Sequence, residues 1–84
     1  MPTIAYFNGI LIILRPTSKE HLPPHVHAIY GGDEATFRIP DGKHLKGNFP
    51  LNKIAEVKKF IQFFGDELLK MWNEEVYHKI EPTK

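Results

Sequence analysis

The chain has no cysteine, so neither a disulfide framework nor a thiolate metal site is open to it. That composition suits a reducing compartment. Long hydrophobic runs are missing too. The longest, Ile10 to Leu14, falls far short of the roughly 20 apolar residues that a membrane-spanning helix needs. Charge of one sign is equally scarce. The net charge is +1, with five Lys/Arg against four Asp/Glu in residues 1–50 and six against six in residues 51–84. Global electrostatics therefore supplies no strong nucleic-acid signal, and any such binding rests on a local patch. The opening Met1-Pro2-Thr3-Ile4 lacks the charged start and apolar core of a signal peptide. The expectation is a soluble cytoplasmic protein with no membrane partner. Residues 1–84 make a single small domain that buries only about 60–65% of its unfolded surface, so its stability should be modest.

What the chain does have is histidine, and in one place. The stretch from His21 to Tyr30 holds three of the five histidines within seven residues. Pro23 and Pro24 each fix φ and lack a donor, so the approach to His25 is extended and not helical. From His25 to Tyr30 the pattern reads as a strand, in which alternate side chains face opposite ways. His25, His27 and Ile29 then share one face, and Val26, Ala28 and Tyr30 the other. The two imidazoles should be neighbours, roughly 6–7 Å apart by the strand rise.

Around this stretch the other elements follow in order. Thr3 to Phe7 and Ile10 to Arg15 flank Asn8-Gly9, the preferred dipeptide of a two-residue hairpin turn. The second segment is apolar at every position from Ile10 to Leu14, as expected of a strand covered on both faces, central or at a subunit contact. A homo-oligomer is compatible with that. Gly31-Gly32 closes a second hairpin whose pairing sets Ala28 opposite Ala35, Val26 opposite Phe37, His27 opposite Thr36 and His25 opposite Arg38. Apolar residues gather on one face and His25, His27, Thr36 and Arg38 on the other, so a one-residue slip would destroy the segregation. At Asp41-Gly42 a three-residue loop with a glycine bulge, Asp41 to Lys43, would pair Ile39 with Leu45 and Arg38 with Lys46.

Pro50 opens a helical region. Ile54, Val57, Ile61, Phe64, Leu68 and Met71 recur at spacings of three and four, with Phe60 and Trp72 widening the stripe. One helix from Leu51 to Glu75 would be about 37 Å long, too long for a domain with a radius of gyration of about 12 Å. Gly65-Asp66 is the expected break, glycine ending one helix and aspartate capping the next. Tyr77 to Pro82 reads as a tail able to form an edge strand. The fold class is therefore α+β: an antiparallel sheet of about five short strands with two C-terminal helices packed on one face. The expected core is Ile10, Ile12, Val26, Ala28, Phe37, Ile39, Leu45, Ile54, Val57, Ile61, Phe64, Leu68 and Trp72. Phe60, Phe64 and Trp72 read as core, not as a cofactor box.

Several stretches together resemble a known family. They are Met1-Pro2-Thr3-Ile4, Phe7-Asn8-Gly9-Ile10, His21-x-Pro23-Pro24-His25-x-His27, Tyr30-Gly31, Glu34-Ala35, Gly47-x-x-Pro50, Glu67-Leu68-Leu69 with Trp72, and Lys79-Ile80-Glu81-Pro82. The chain resembles, over essentially its whole length, the small bacterial family termed domain of unknown function 4160. It departs from that pattern at Leu22, where a polar residue is common, at Val26, where an aromatic is frequent, and at Arg38, where an acid is often seen. The resemblance implies the toxin half of a two-gene toxin–antitoxin module. Its partner would be a small antitoxin-like protein from a neighbouring gene, often of a second uncharacterised family, domain of unknown function 2442.

Three readings of the histidine face follow. The first is a metal-independent ribonuclease, with His25 and His27 as the acid–base pair and Arg38, Lys46, Thr36 and His21 binding substrate. RNA transesterification needs a base for the 2′-hydroxyl, an acid for the leaving oxygen, and cations for the charge that builds on phosphorus. Two imidazoles titrating near neutrality beside Arg38 and Lys46 supply those types. Tyr30 could stack a base only if it left the core face. The second reading is a divalent metal site made by His21, His25 and His27, although no familiar zinc spacing is present. In the third, the histidines are structural or form a non-catalytic protein-binding surface, since imidazole often just packs and hydrogen-bonds. His44 and His78 read as ordinary surface residues.

Overall fold

Asn8 and Gly9 both take left-handed backbone angles, φ +52° and +80°, the pair that a type I′ hairpin turn requires. They join strand β1 (Thr3–Phe7) to β2 (Ile10–Ile13) in the computed structural model, which describes residues 3–14, 24–74 and 76–80. Three further strands, β3 (His25–Tyr30), β4 (Asp33–Arg38) and β5 (His44–Gly47), complete a sheet of order β1-β2-β3-β4-β5. Every neighbouring pair is antiparallel. Helices α1 (Leu51–Phe63) and α2 (Gly65–Glu74) follow. This is the α+β arrangement that the residue patterns predict.

The β3–β4 hairpin has the predicted register at all four positions: His25 with Arg38, Val26 with Phe37, His27 with Thr36, and Ala28 with Ala35. The β4–β5 pairing differs from its prediction. Phe37 pairs with His44, Thr36 with Lys46 and Ala35 with Gly47, with a bulge between Thr36 and Phe37. The reason lies at Ile39 and Pro40. Ile39 donates its N–H to the Pro24 carbonyl at 2.9 Å, which commits it to the β3 side, and Pro40 has no N–H to give. The turn therefore widens to five residues. It is closed by Arg38 N–H to the Lys43 carbonyl at 2.8 Å and Gly42 N–H to the Arg38 carbonyl at 2.7 Å. One consequence is that Leu45 is 37% exposed and not part of the core.

Pro50, with φ −60° and ψ 140°, starts α1, and its carbonyl accepts from the Lys53 and Ile54 N–H groups at 2.9 Å. The helices break at Phe64, one residue before the predicted place, and Gly65 is the first residue of α2. Glycine is needed there for space, not as a C-terminal cap: a Cβ would stand 2.8 Å from Pro40 Cβ. Asp66 and Glu67 occupy the first turn of α2, where the helix dipole favours negative charge. The molecule's longest extent is 31 Å, shorter than the unbroken rod would be.

Ile10, Ile12, Val26, Ala28, Phe37, Ile39, Val57, Ile61, Leu68 and Trp72 are buried as predicted, while Ile54 and Phe64 are half-buried against that cluster. Ile4, Phe7, Leu14, Phe49, Phe60, Met71 and Ile80 also belong to the core. Tyr30 stays on the core side, with Phe49 at 6.2 Å between ring centroids and the Lys53 ammonium 5.0 Å from its ring. The tail forms no strand among residues 76–80, but Ile80 donates its N–H to the Ile4 carbonyl at 2.7 Å and so lies along β1.

Candidate functional site

Val26 and Ala28 are wholly buried, and strand alternation turns His25, His27 and Ile29 to the other face of β3. Register then carries the site across the sheet. Ile13 of β2, His27 of β3, Thr36 of β4 and Lys46 of β5 stand in one row, and Arg38 stands opposite His25. The centroids of the His25 and His27 rings are 5.2 Å apart, with the rings inclined at 62°. On its other side His25 meets the buried indole of Trp72, at 5.4 Å and 53°. Residues that sequence spacing places on one face are thus brought together, and α2 supplies a wall to them.

His27 is half-buried, like its neighbour. Its Nδ1 lies 3.2 Å from Oε2 of Glu34, its side chain is 13% exposed, and its Nε2 is shut off from solvent. Glu34 pairs with Ile29, so it reaches His27 along the cross-strand diagonal. The guanidinium of Arg38 is held by a nearer acid. Its Nε donates to Asp41 at 3.0 and 3.2 Å, and its terminal amine bonds the same carboxylate. Those hydrogen bonds hold the Asp41 carboxyl well below the usual carboxylate range, and Asp41 in turn raises the Arg38 guanidinium. Lys46 is exposed and stands beside Thr36, not beside Arg38.

His21, assigned both to substrate binding and to the metal alternative, lies outside the described residues. Among the described residues, no three His, Cys, Asp or Glu side chains converge as a metal-binding group. His44 and His78 have specific partners. His44 stacks on Phe37 at 5.1 Å and shares a hydrogen bond of 2.7 Å with the Gly47 carbonyl through Nε2, and His78 pairs with Glu67 of α2.

Three neighbours of the site escaped the sequence reading. Glu34 was within reach of it, since the Gly31-Gly32 hairpin fixes the diagonal from Glu34 to His27. Asp41 follows Arg38 by three residues across a turn, a spacing that permits an ion pair without requiring one. The contact of Trp72 with His25 is non-local and left no signal. Away from the histidine pair, an open groove of about 540 Å³ is lined by Phe7, Asn8, Glu56, Lys59, Phe60, Phe63 and Phe64.

No curated protein and no solved structure matches the chain. A family model does, from residue 9 to residue 73, a span that takes in β2 to β5, α1 and nearly all of α2. The chain belongs to the family described as domain of unknown function 4160 (DUF4160).

Proposed function

We propose that this protein is the toxin component of a bacterial two-gene toxin–antitoxin module, acting on RNA or the translation machinery through the His25/His27 face. The observation that carries the reading is the close pair of imidazoles, 5.2 Å apart, with Thr36 and Lys46 in line on the adjoining strands. Imidazole is the side chain best suited to proton transfer near neutral pH, and a hydroxyl and an ammonium are groups that engage a phosphodiester. The activity needs no metal in this reading, and a small antitoxin-like protein from a neighbouring gene neutralises it.

A second reading, a non-catalytic protein-binding surface, is favoured by one observation: the Arg38 guanidinium already has Asp41 as its counter-ion and is less available to a phosphate. Expression without a partner tests the first reading. Growth should stop with the unaltered chain and continue with the folded double variant His25→Ala, His27→Ala. Growth arrest that persists in that variant would place the toxic surface elsewhere. Cleavage of RNA by the purified protein, lost in the same variant, separates an enzyme from a binder.

A further inference from the structure

Helix α1 turns Val57, Phe60 and Ile61 into the core, and its outer side is not uniformly polar. Leu51 and Phe63, at its two ends, are 84% and 81% exposed, the most of any large apolar side chain among the described residues. Along that side Asn52, Glu56, Lys59 and Phe63 follow at intervals of four, three and four residues, the spacing of one stripe on a helix. We infer that this stripe is the interface of a homodimer, in which α1 of a second copy lies antiparallel along it.

The stripe is complementary to itself. Its spacing reads the same in both directions, so an antiparallel copy sets Glu56 opposite Lys59, Lys59 opposite Glu56, and Asn52 opposite Phe63 of its partner. One two-fold operation makes both ion pairs, as an isologous interface requires. It also lays the N-terminal part of each α1, with exposed Leu51 and Ala55, over the exposed ring of Phe63 in the other copy. A parallel copy in register would face Glu56 with Glu56 and Lys59 with Lys59, and like charges across an interface are strongly disfavoured. An unlike partner would have no need of a stripe that reads the same both ways.

The charges are disposed for contact outside their own chain. Glu56 accepts from the Asn8 side chain at 2.8 Å and lies 3.7 Å from the Lys53 ammonium. Those contacts fix its carboxylate at the rim of the groove beside Phe60 and Phe63, with 34% of its side chain still exposed. Lys59, one turn further along, is exposed and has no ion pair or hydrogen bond among the described residues. Phe63 stands edge-to-face on Phe64 at 4.9 Å and 87°, which props its ring out toward solvent. Burying that ring is favourable. With a net charge of only +1 on each chain, little long-range repulsion opposes the approach of a second copy. The 13 residues of α1 span about 20 Å, so a pair of them makes a small interface. The dimer should therefore be weak, with a Kd in the micromolar range.

Sedimentation equilibrium of the full chain from about 10 μM to about 1 mM should show the mass rising from that of one chain toward that of two. Lys59→Glu brings like charges together twice and should weaken association at least about tenfold. Phe63→Ser should weaken it as well, by removing apolar area from the contact. Both positions are exposed, so each variant should melt at the parent's temperature. The double reversal Glu56→Lys, Lys59→Glu restores opposite signs across the two-fold and should recover the association that Lys59→Glu loses. A parent that stays monomeric throughout would overturn the inference. So would a dimer that persists unweakened in Lys59→Glu and Phe63→Ser, because the copies would then meet elsewhere. A folded double reversal as weakly associating as Lys59→Glu would overturn the antiparallel pairing. The stripe shares no residue with the histidine pair, so none of these outcomes alters the reading of that face.

Discussion

At the scale of single residues, His25 has a built-in reporter. Trp72 is the only tryptophan in the chain, and its indole lies 5.4 Å from the His25 ring. Replacing His25 should therefore change the indole emission intensity, while the emission maximum, set by burial, stays put in His25→Asn. Identical emission from His25→Asn and the parent would show that the contact is not made in solution. The Arg38–Asp41 pair predicts a pH effect. The Asp41 carboxyl is held low in the folded state, so its stabilisation is present above the ordinary carboxylate range and disappears as pH falls through the depressed value. Asp41→Asn should lower the melting temperature slightly at pH 7. The gap to the parent should shrink with added salt, because both partners are exposed.

At the scale of elements, the β3–β4 hairpin carries both the core and the site, and two substitutions probe it. Phe37 is wholly buried, with Phe49 at 5.8 Å and His44 stacked on it at 5.1 Å. Phe37→Ala should cost about 3–5 kcal/mol, a large share of a small domain's stability, and thermal melting would register it directly. Gly47 faces this hairpin so closely that a Cβ would stand 2.2 Å from the Glu34 carbonyl oxygen and 2.8 Å from Ala35 Cα, at a φ of +90°. Gly47→Ala should therefore displace β5 or unfold the protein. A crystal or NMR structure of the variant with β4–β5 unmoved would refute this. These elements also show what sequence alone can reach. The β3–β4 register was legible because a two-glycine turn and a segregated pattern of Val26, Ala28, Ala35 and Phe37 agree on one answer. The pairing of β4 with β5 was not, because it is decided by Ile39 bonding to Pro24 and by Pro40 seating against Gly65, contacts between segments distant along the chain. The same division runs through the site: His25 and His27 announce themselves by spacing, whereas Trp72 arrives from α2 only once the helices have packed.

At the scale of the whole molecule, the two edges of the sheet are treated differently. β5 ends it on one side with a strand of four residues, short enough to limit pairing with another chain. The β1 side is met by the C-terminal tail, through Ile80 N–H to the Ile4 carbonyl and a buried Ile80 side chain. His78, paired with Glu67, ties the same tail to α2. Both β1 and the tail lie outside the matched span, residues 9–73, and Ile4 and Ile80 are both part of the buried core. The tail's contribution is measurable. Ile80→Ala removes a side chain that is 6% exposed and should cost about 2–4 kcal/mol in urea unfolding. It should also loosen the tail from β1, leaving the Ile4 carbonyl edge open and raising the protein's tendency to associate at high concentration. Proline at position 80 deletes the N–H as well and should exceed the alanine effect by the loss of that hydrogen bond, about 1 kcal/mol. Neither change touches His25, His27 or Glu34, so under the proposed function any growth arrest by the parent should be kept by the variants at temperatures where they remain folded. Unfolding midpoints unchanged in both variants would mean that the tail does not seal the sheet. Growth arrest lost while the fold persists would instead place the tail, and not the histidine face alone, in the acting surface.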